Sequence, residues 1–145
     1  MLMDDFQPQF ARAEIEARFH NTAQASLVRA DPSAVEQVLT NLLTNATRYT
    51  DPGGTVDVRV ETTSEKVSIS VEDTGIGIPE TDLERVFERF YRVDKSRSRA
   101  LGSTGLGLAI VRHLVSAMDG DIKLESQVGR GTRVTVSLPK VEIEA

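Results

Sequence analysis

The sequence predicts an α+β fold: a two-layer α/β sandwich in which one mixed, mostly antiparallel sheet of about five strands carries about three helices on one face. Several short segments alternate apolar and polar residues, as strands with one buried face do. Two longer segments repeat apolar residues every three or four positions, as amphipathic helices do. Because these segments interleave within 145 residues, we expect them to share one hydrophobic core.

Charge and composition argue against several classes of protein. The formal net charge of −5 disfavours a general nucleic-acid binder and a polybasic membrane-surface protein. The chain has no cysteine, which excludes disulfide scaffolds and thiolate zinc sites, and its two histidines, His20 and His113, are too few for a histidine metal site. No apolar stretch approaches the roughly 18–20 residues of a membrane helix. We therefore expect this domain to be soluble and cytoplasmic.

The chain is expected to form one domain over residues 13–140. Residues 1–12 have no clear period and predict a frayed start, and residues 141–145 predict a tail. Within the domain, segments 13–19 and 25–31 predict the first two strands.

The strongest helical period follows Asp31-Pro32-Ser33, where Asp31 is a candidate N-cap and proline occupies the first helical position. The helix is expected over residues 34–49. Its apolar stripe comprises Val35, Val38, Leu39, Leu42, Leu43 and Ala46. An antiparallel hairpin follows, with one apolar face formed by Val56, Val58, Val60, Val67, Ile69 and Val71.

The second half of the chain begins with a loop over residues 73–79. A short helix should follow, with its apolar side formed by Leu83, Val86, Phe87 and Phe90. Residues 91–104 are charged, lack a period and predict a mobile loop. A last helix is expected from about Gly105 to Met118, with Leu106, Ala109, Ile110, Leu114 and Ala117 facing inward. Two strands, around 122–125 and 133–138, complete the sheet.

Three polar residues lie at one edge of the long helix. At about 100° per residue, Asn41, Asn45 and Arg48 fall within about 60° of one another, beside the apolar stripe. Asparagine is a mediocre helix former, so a pair of them in a half-buried helix suggests a binding role. The alternative is that these side chains only hydrogen-bond to neighbouring backbone.

Two glycine-rich segments are candidate nucleotide contacts. Asp73 ends a strand, where its carboxylate could accept the exocyclic amine of adenine, and the glycines after it would let a flat base approach the backbone. Segment 102–108 runs into a helix N-terminus, which favours phosphate, although it lacks the Lys-Ser/Thr pair of a P-loop. The alternative interpretation of residues 73–79 is a tight turn without a ligand, and that of residues 102–108 is a glycine-rich helix start that serves packing. Between the segments lies a basic cluster: Arg85, Arg89, Arg92, Lys95, Arg97 and Arg99.

Taken together, these motifs resemble the ATP-binding catalytic domain of sensor histidine kinases, in the GHKL ATPase superfamily. Residues 41–49 resemble its N box, 73–79 its G1 box, 86–92 its F box and 102–110 its G2 box. Gly131-Thr132 matches a further family element near the adenine. The resemblance spans about Ala30 to Pro139 and implies the Bergerat fold, with ATP and Mg²⁺ as the bound groups.

The resemblance also implies roles for individual residues. Asn45 would ligate Mg²⁺, Arg48 would reach the phosphates, and Asp73 would read the adenine amine. Arg92, in a lid over residues 91–104, would stabilise the transferring γ-phosphate. The remaining contacts with the nucleotide would come from Tyr49, Gly75, Gly77, Ile78, Thr104, Gly105, Leu106, Gly107, Leu108 and Thr132.

Two departures from relatives refine the expected activity. Hydrolysing members of the superfamily carry a glutamate where this chain has Asn41, and an amide cannot take a proton from an attacking water. Neither His20 nor His113 lies in the His-Glu-Leu-Arg-Thr-Pro-like motif of the family's acceptor hairpin. The resemblance therefore implies a kinase module whose second substrate is a histidine on a separate dimerisation hairpin.

The resemblance also implies a response regulator as a downstream partner, and we expect no binding to nucleic acid. The isolated domain is expected to be monomeric, and the parent protein can be membrane-anchored. Two other functions fit the same motifs. One is a serine kinase of the anti-sigma-factor type, which shares the boxes. The other is a nucleotide-gated interaction module that transfers no phosphoryl group.

Overall fold

The computed structural model describes residues 2–21, 27–28, 32–63, 65–83, 85–88 and 107–141. In chain order the helices and strands are α1 (Leu2–Ala13), β1 (Glu16–Asn21), β2 (Leu27–Val28), α2 (Pro32–Tyr49), β3 (Thr55–Thr62), β4 (Lys66–Asp73), α3 (Gly107–Ala117), β5 (Asp121–Gln127) and β6 (Gly131–Val141). None of the helices in these ranges is long and apolar enough to cross a membrane.

The strands form one mixed sheet, in the order β1-β3-β4-β6-β5, with β1 and β3 parallel and the other pairs antiparallel. Five strands make up this sheet in the described residues, as predicted, and the two residues of β2 add a short sixth strand beside the last two of β6. The predicted fold class, a mixed and mostly antiparallel sheet beside helices, is confirmed.

The core lies between the sheet and the helices. In the register, Val58 lies beside Val71, and Val71 beside Val134, so alternate residues form one apolar face. The helices α2 and α3 cover this face with the stripe predicted for α2 and with two valines of α3. The fully or nearly fully buried members of the core are Phe10, Ile15, Val38, Leu42, Leu43, Ala46, Val56, Val58, Val71, Val111, Val115, Val134, Val136 and Leu138.

The other face of the sheet is polar and carries surface ion pairs. Arg133 Nη2 lies 2.8 Å from Glu72 Oε2, and Lys66 Nζ lies 3.3 Å from Asp121 Oδ2. Because both pairs are largely exposed, each contributes little to stability.

The structure corrects the prediction that residues 1–12 form a frayed start. Residues 2–12 belong to α1, in which Phe10 is 1% exposed and packs into the core. The helix carries Pro8 and two aspartates near its start, which obscure its period in the sequence. Tertiary packing of Phe10 therefore stabilises a helix that local propensity does not predict.

The inward face of α3 also differs from the prediction. Ala117 is exposed, whereas Val111 and Val115 are buried, and Leu114 packs partly against the core. Of the other residues predicted inward, Ala109 and Ile110 are half-buried, and Leu106 lies outside the described residues. The helix ends at Ala117, one residue before the predicted Met118: Asp119 adopts a φ of 59° and the Gly120 N–H donates to the Val115 carbonyl at 2.9 Å.

The short helix predicted around Leu83 is a series of tight turns where the structure describes it. A 3₁₀ turn spans Glu80–Asp82, and most of the bonds that follow join residues three apart. Val86 is 5% exposed, and the Phe87 ring lies under the Arg112 guanidinium, whose carbon is 5.5 Å from the ring centre. The predicted mobile loop over 91–104, together with Phe90, lies outside the described residues.

Replacement of Phe10 by alanine tests whether α1 is part of this core. Truncating a buried phenylalanine costs about 3–5 kcal/mol, so Phe10→Ala should lower the free energy of unfolding by that amount in urea denaturation. The matched control is Phe19→Ala on β1. Because Phe19 is 41% exposed, this variant should lose clearly less free energy of unfolding. Equal losses in the two variants would contradict the packing of α1.

Candidate functional site

Three polar side chains form a row across the end of the sheet. Asp73 on β4 pairs in register with Thr132 on β6, and Thr132 pairs with Ser126 on β5. Since side chains alternate along a strand, the row has the same orientation as the buried Val71 and Val134 two residues away. The row therefore belongs to the helix-covered face, where polar residues interrupt an otherwise apolar surface.

The Asp73 carboxylate is held in place by backbone donors. Its Oδ1 accepts the N–H of Gly75 at 2.9 Å and the N–H of Thr132 at 3.2 Å. Among the described residues, no group donates to Oδ2. One oxygen is thus fixed by the fold, and the other remains an acceptor for a ligand.

The ionisation of Asp73 is shifted by its surroundings. Burial raises its pKa to about 6, although the bonds from Gly75 and Thr132 act in the opposite direction. At neutral pH the group is therefore mostly a carboxylate, which can only accept hydrogen bonds. A half-buried anion of this kind selects ligands that offer an N–H group.

The loop after Asp73 depends on its glycines. A Cβ at Gly75 would overlap the Tyr49 carbonyl oxygen, and Gly77, at a φ of 76°, would carry a Cβ into the Gln127 carbonyl oxygen. The loop is held by backbone hydrogen bonds. The Ile76 N–H donates to the Tyr49 carbonyl oxygen, and the Gly129 N–H donates to the Ile76 carbonyl oxygen. Gly77 thus has a packing role, close to the turn between β5 and β6.

The bond from Ile76 to Tyr49 joins the loop to the C-terminal end of α2. Asn41 and Asn45 lie one helical turn apart on α2, and both are half-buried, as are Arg48 and Tyr49. The Nδ2 of Asn41 is buried without a hydrogen-bond acceptor in the described part of the chain. An orphaned buried donor is costly unless a ligand or water satisfies it, so this part of α2 is suited to an anionic group.

A model of the family described as "Histidine kinase-, DNA gyrase B-, and HSP90-like ATPase" matches residues 30–142 of this chain. The chain belongs to this ATPase family. It is similar to the sensor histidine kinase WalK of Bacillus subtilis, with 49% identity over 117 residues, which cover 79% of this chain and only 19% of WalK.

Solved structures of this ATPase family have the same fold. The catalytic domain of the histidine kinase ThkA gives a TM-score of 0.82 at 29% identity, over 96% of this chain and 89% of that one. Full-length ShkA in complex with AMPPNP gives a TM-score of 0.84 at 28% identity, over 99% of this chain and 29% of that one. The ATPase domain therefore spans a small part of the longer kinases it matches.

The structure brings together the base side of the predicted site. Asp73 is hydrogen-bonded to Gly75 and Thr132, and Ile78 is linked to Thr132 through Ser126. Gly77 lies in the same loop against Gln127, and the Tyr49 carbonyl oxygen accepts the N–H of Ile76. On the phosphate side, Gly107 begins α3 and Leu108 is half-buried against the core. The other predicted residues of this side, Arg92, Thr104, Gly105 and Leu106, lie outside the described residues.

Sequence reasoning missed Ser126. Its hydroxyl accepts the Ile78 N–H at 2.7 Å, donates to the Gly131 carbonyl oxygen at 2.9 Å and lies 2.8 Å from Thr132 Oγ1. A signal was present: Ile122, Leu124 and Ser126 alternate on one face of β5, and the third position breaks the apolar series. A polar residue at an apolar position is typical of a site.

The raised pKa of Asp73 predicts a pH dependence of stability. The folded state keeps the proton to higher pH than the unfolded chain does, so the free energy of unfolding should fall as pH rises from 4 to 6.5. For a pKa raised from 3.8 to about 6, the fall over the complete titration is roughly 3 kcal/mol, most of it within this window. Asp73→Asn keeps an acceptor at Oδ1 and should remove this slope in urea denaturation at each pH.

The control for this measurement is Asp121→Asn, in an exposed ion pair on the other face of the sheet. This variant should retain the wild-type slope between pH 4 and 6.5. A slope that survives in Asp73→Asn would show that other groups produce it.

Proposed function

We propose that this chain binds Mg-ATP and donates the γ-phosphoryl group to a histidine on a separate dimerisation and phosphoacceptor hairpin, in two-component signal transduction. The observation that carries the proposal is the Asp73 carboxylate: half-buried, fixed through Oδ1 by two backbone N–H groups, and without a donor to Oδ2 among the described residues. Membership of the ATPase family and similarity to sensor histidine kinases support it.

On the base side, Asp73 Oδ2 accepts a hydrogen of the adenine exocyclic amine. Gly75 and Gly77 keep the loop free of side-chain bulk, and Ile78 and Thr132 line the base. Ile78 contributes an apolar surface, while Thr132 adds a hydroxyl beside the carboxylate. This combination favours a flat ligand with one polar edge.

On the phosphate side, α2 supplies the polar groups. The Asn45 amide oxygen is the proposed ligand of Mg²⁺, and the buried Asn41 Nδ2, which has no acceptor among the described residues, suits a phosphate oxygen or its bound water. Arg48 carries positive charge to the phosphates, and Tyr49 lines the nucleotide. The first turn of α3, with Gly107 and Leu108, offers backbone N–H groups. Thr104, Gly105, Leu106 and Arg92 complete the proposed contacts.

The described residues fit a magnesium ion held mostly by substrate. No three carboxylates or histidines gather within the described ranges to hold a metal by themselves. Magnesium takes one or two protein ligands when substrate phosphates supply the others, which matches a single asparagine. When bound, the ion neutralises negative charge on the β- and γ-phosphates.

In the proposed reaction, the bond between the γ-phosphorus and the β,γ-bridging oxygen breaks, and ADP leaves with that oxygen. A phosphorus–nitrogen bond forms to a neutral imidazole nitrogen of the acceptor histidine. The neutral imidazole is already nucleophilic at pH 7 and needs no strong base. Asn41 in place of a glutamate leaves water without a proton acceptor, so hydrolysis should be slow.

We do not assign either histidine of this chain as the phosphoryl acceptor, because neither lies in a helical hairpin. His20 lies on β1, with its Nε2 3.1 Å from Asp57 Oδ1 on the polar face of the sheet, away from the row at Asp73. His113 is exposed on α3. The proposed acceptor therefore lies on another domain or chain, which in turn passes the phosphoryl group to an aspartate of a response regulator.

Mg²⁺-dependent nucleotide titration tests the binding step. By isothermal calorimetry the chain should bind ATP and ADP over GTP, because Asp73 accepts from an amine and repels a carbonyl oxygen. Asn45→Ala should lose at least about tenfold in ATP affinity in Mg²⁺ and much less in EDTA. Gln37→Ala, at an exposed position on the same helix, is the control. Equal affinities for ATP and GTP would argue against Asp73 as the reader of adenine.

Phosphoryl transfer is tested with radiolabelled ATP and a separately purified acceptor hairpin of a sensor kinase similar to this chain. Label should appear on the hairpin in an acid-labile, base-stable form, as phosphohistidine does, and none should accumulate on this chain alone. Intact nucleotide binding without label on the hairpin would instead favour the nucleotide-gated interaction module. Stoichiometric label on His20 or His113 would overturn the assignment of the acceptor.

A further inference from the structure

The Ser126 hydroxyl has three hydrogen-bond partners, so it must accept at least two of these bonds. A serine hydroxyl has one proton and two lone pairs. Three polar atoms surround it: the Ile78 nitrogen at 2.7 Å, the Gly131 carbonyl oxygen at 2.9 Å and Thr132 Oγ1 at 2.8 Å. The direction of each bond follows from what each partner can do.

Two of the directions are fixed by the backbone. The Ile78 N–H can only donate, so it occupies one lone pair of Ser126, and the Gly131 carbonyl can only accept, so it takes the Ser126 proton. The contact with Thr132 is then a hydrogen bond only if the threonine hydroxyl donates to the remaining lone pair. With its proton committed, the Thr132 hydroxyl presents lone pairs alone to any ligand.

This assignment extends the acceptor character of the site beyond Asp73. The Oδ1 of Asp73 is occupied by two N–H groups, which leaves Oδ2 as an acceptor, and Thr132 lies beside it in register. Both groups are half-buried, so a ligand can reach them while much of the surrounding water is excluded. A base edge that carries an exocyclic amine donates to such a pair, whereas a carbonyl oxygen in the same place is repelled.

We infer that Ser126 is a positioning residue that sets base specificity: by holding the Thr132 proton, it keeps that hydroxyl an acceptor and favours 6-amino over 6-oxo purines. The inference rests on the proposed nucleotide function and concerns the same site. The bond to Ile78 adds to it, because it joins the loop after Asp73 to the same hydroxyl. Without Ser126, the Thr132 hydroxyl can rotate and donate to a carbonyl oxygen.

The test measures Mg²⁺-dependent binding of ADP and IDP, which differ at the 6-position of the base. Wild type should prefer ADP. In Ser126→Ala this preference should shrink by about tenfold, the effect of one hydrogen bond, mainly through tighter relative binding of IDP. Ser126→Thr keeps a hydroxyl and should restore most of the preference. Ser137→Ala, which removes a hydroxyl bonded to Ser68 on the polar face, is the control and should leave the ratio unchanged.

A second variant keeps the inference testable if Ser126→Ala is unstable. Thr132→Val removes the hydroxyl itself and should shrink the ADP preference similarly, and the double variant should add little, since both changes act on one hydrogen bond. Wild type that binds no ADP would refute the proposed function, and the inference with it. Wild type that prefers ADP, with the same ADP-to-IDP ratio in Ser126→Ala, would refute the inference alone, even if both affinities or the melting temperature fell.

Discussion

The arrangement of the whole site depends on the register of β4, β6 and β5. This register places Asp73, Thr132 and Ser126 in one row, directly after the apolar row of Val71, Val134 and Leu124. A slip of one residue would turn every side chain of a strand to the other face. The polar row would then lie in solvent, and the valines that pack under α2 and α3 would be exposed. Core packing and ligand recognition thus share one constraint.

Hydrophobic packing fixes this register, and polar contacts follow it. Val71 and Val134 are 3% and 7% exposed, so a slip would expose far more apolar area than the surface ion pair between Glu72 and Arg133 could offset. The site therefore has a rigid base, built on strands, from which the loop after Asp73 extends. Backbone N–H groups hold the carboxylate of Asp73, and among substitutions only proline removes such a donor.

Periodicity predicted the elements whose two faces differ strongly. The helix that begins at Pro32 and the hairpin of β3 and β4 formed as expected, because their apolar residues repeat without interruption. Helix α1 was not predictable, since Phe10 is the one fully buried residue among its described side chains, and one buried position sets no period. In α3, apolar residues surround most of the helix, so the sequence could not decide between Ala117 and Val115 as the inward residue.

The site shows a similar division. Asp73 and its glycines follow each other in the chain, so a local motif predicts them. The partners of Ser126 include Ile78, which is distant in sequence and is brought to it by the fold. Its local sequence shows only a polar residue at an apolar position of the strand. The raised pKa of Asp73 is likewise a property of burial, which the sequence alone does not measure.

The position of β6 has a consequence for the order in which the domain assembles. This strand follows β5 in the chain, yet it separates β4 from β5 in the sheet, and the bond between Asp73 and Thr132 joins residues 59 positions apart. During synthesis from the N-terminus, the carboxylate of Asp73 emerges long before its second backbone donor. The row of Asp73, Thr132 and Ser126 therefore forms as one of the final events of folding, and a chain halted before Thr132 has the loop without the row.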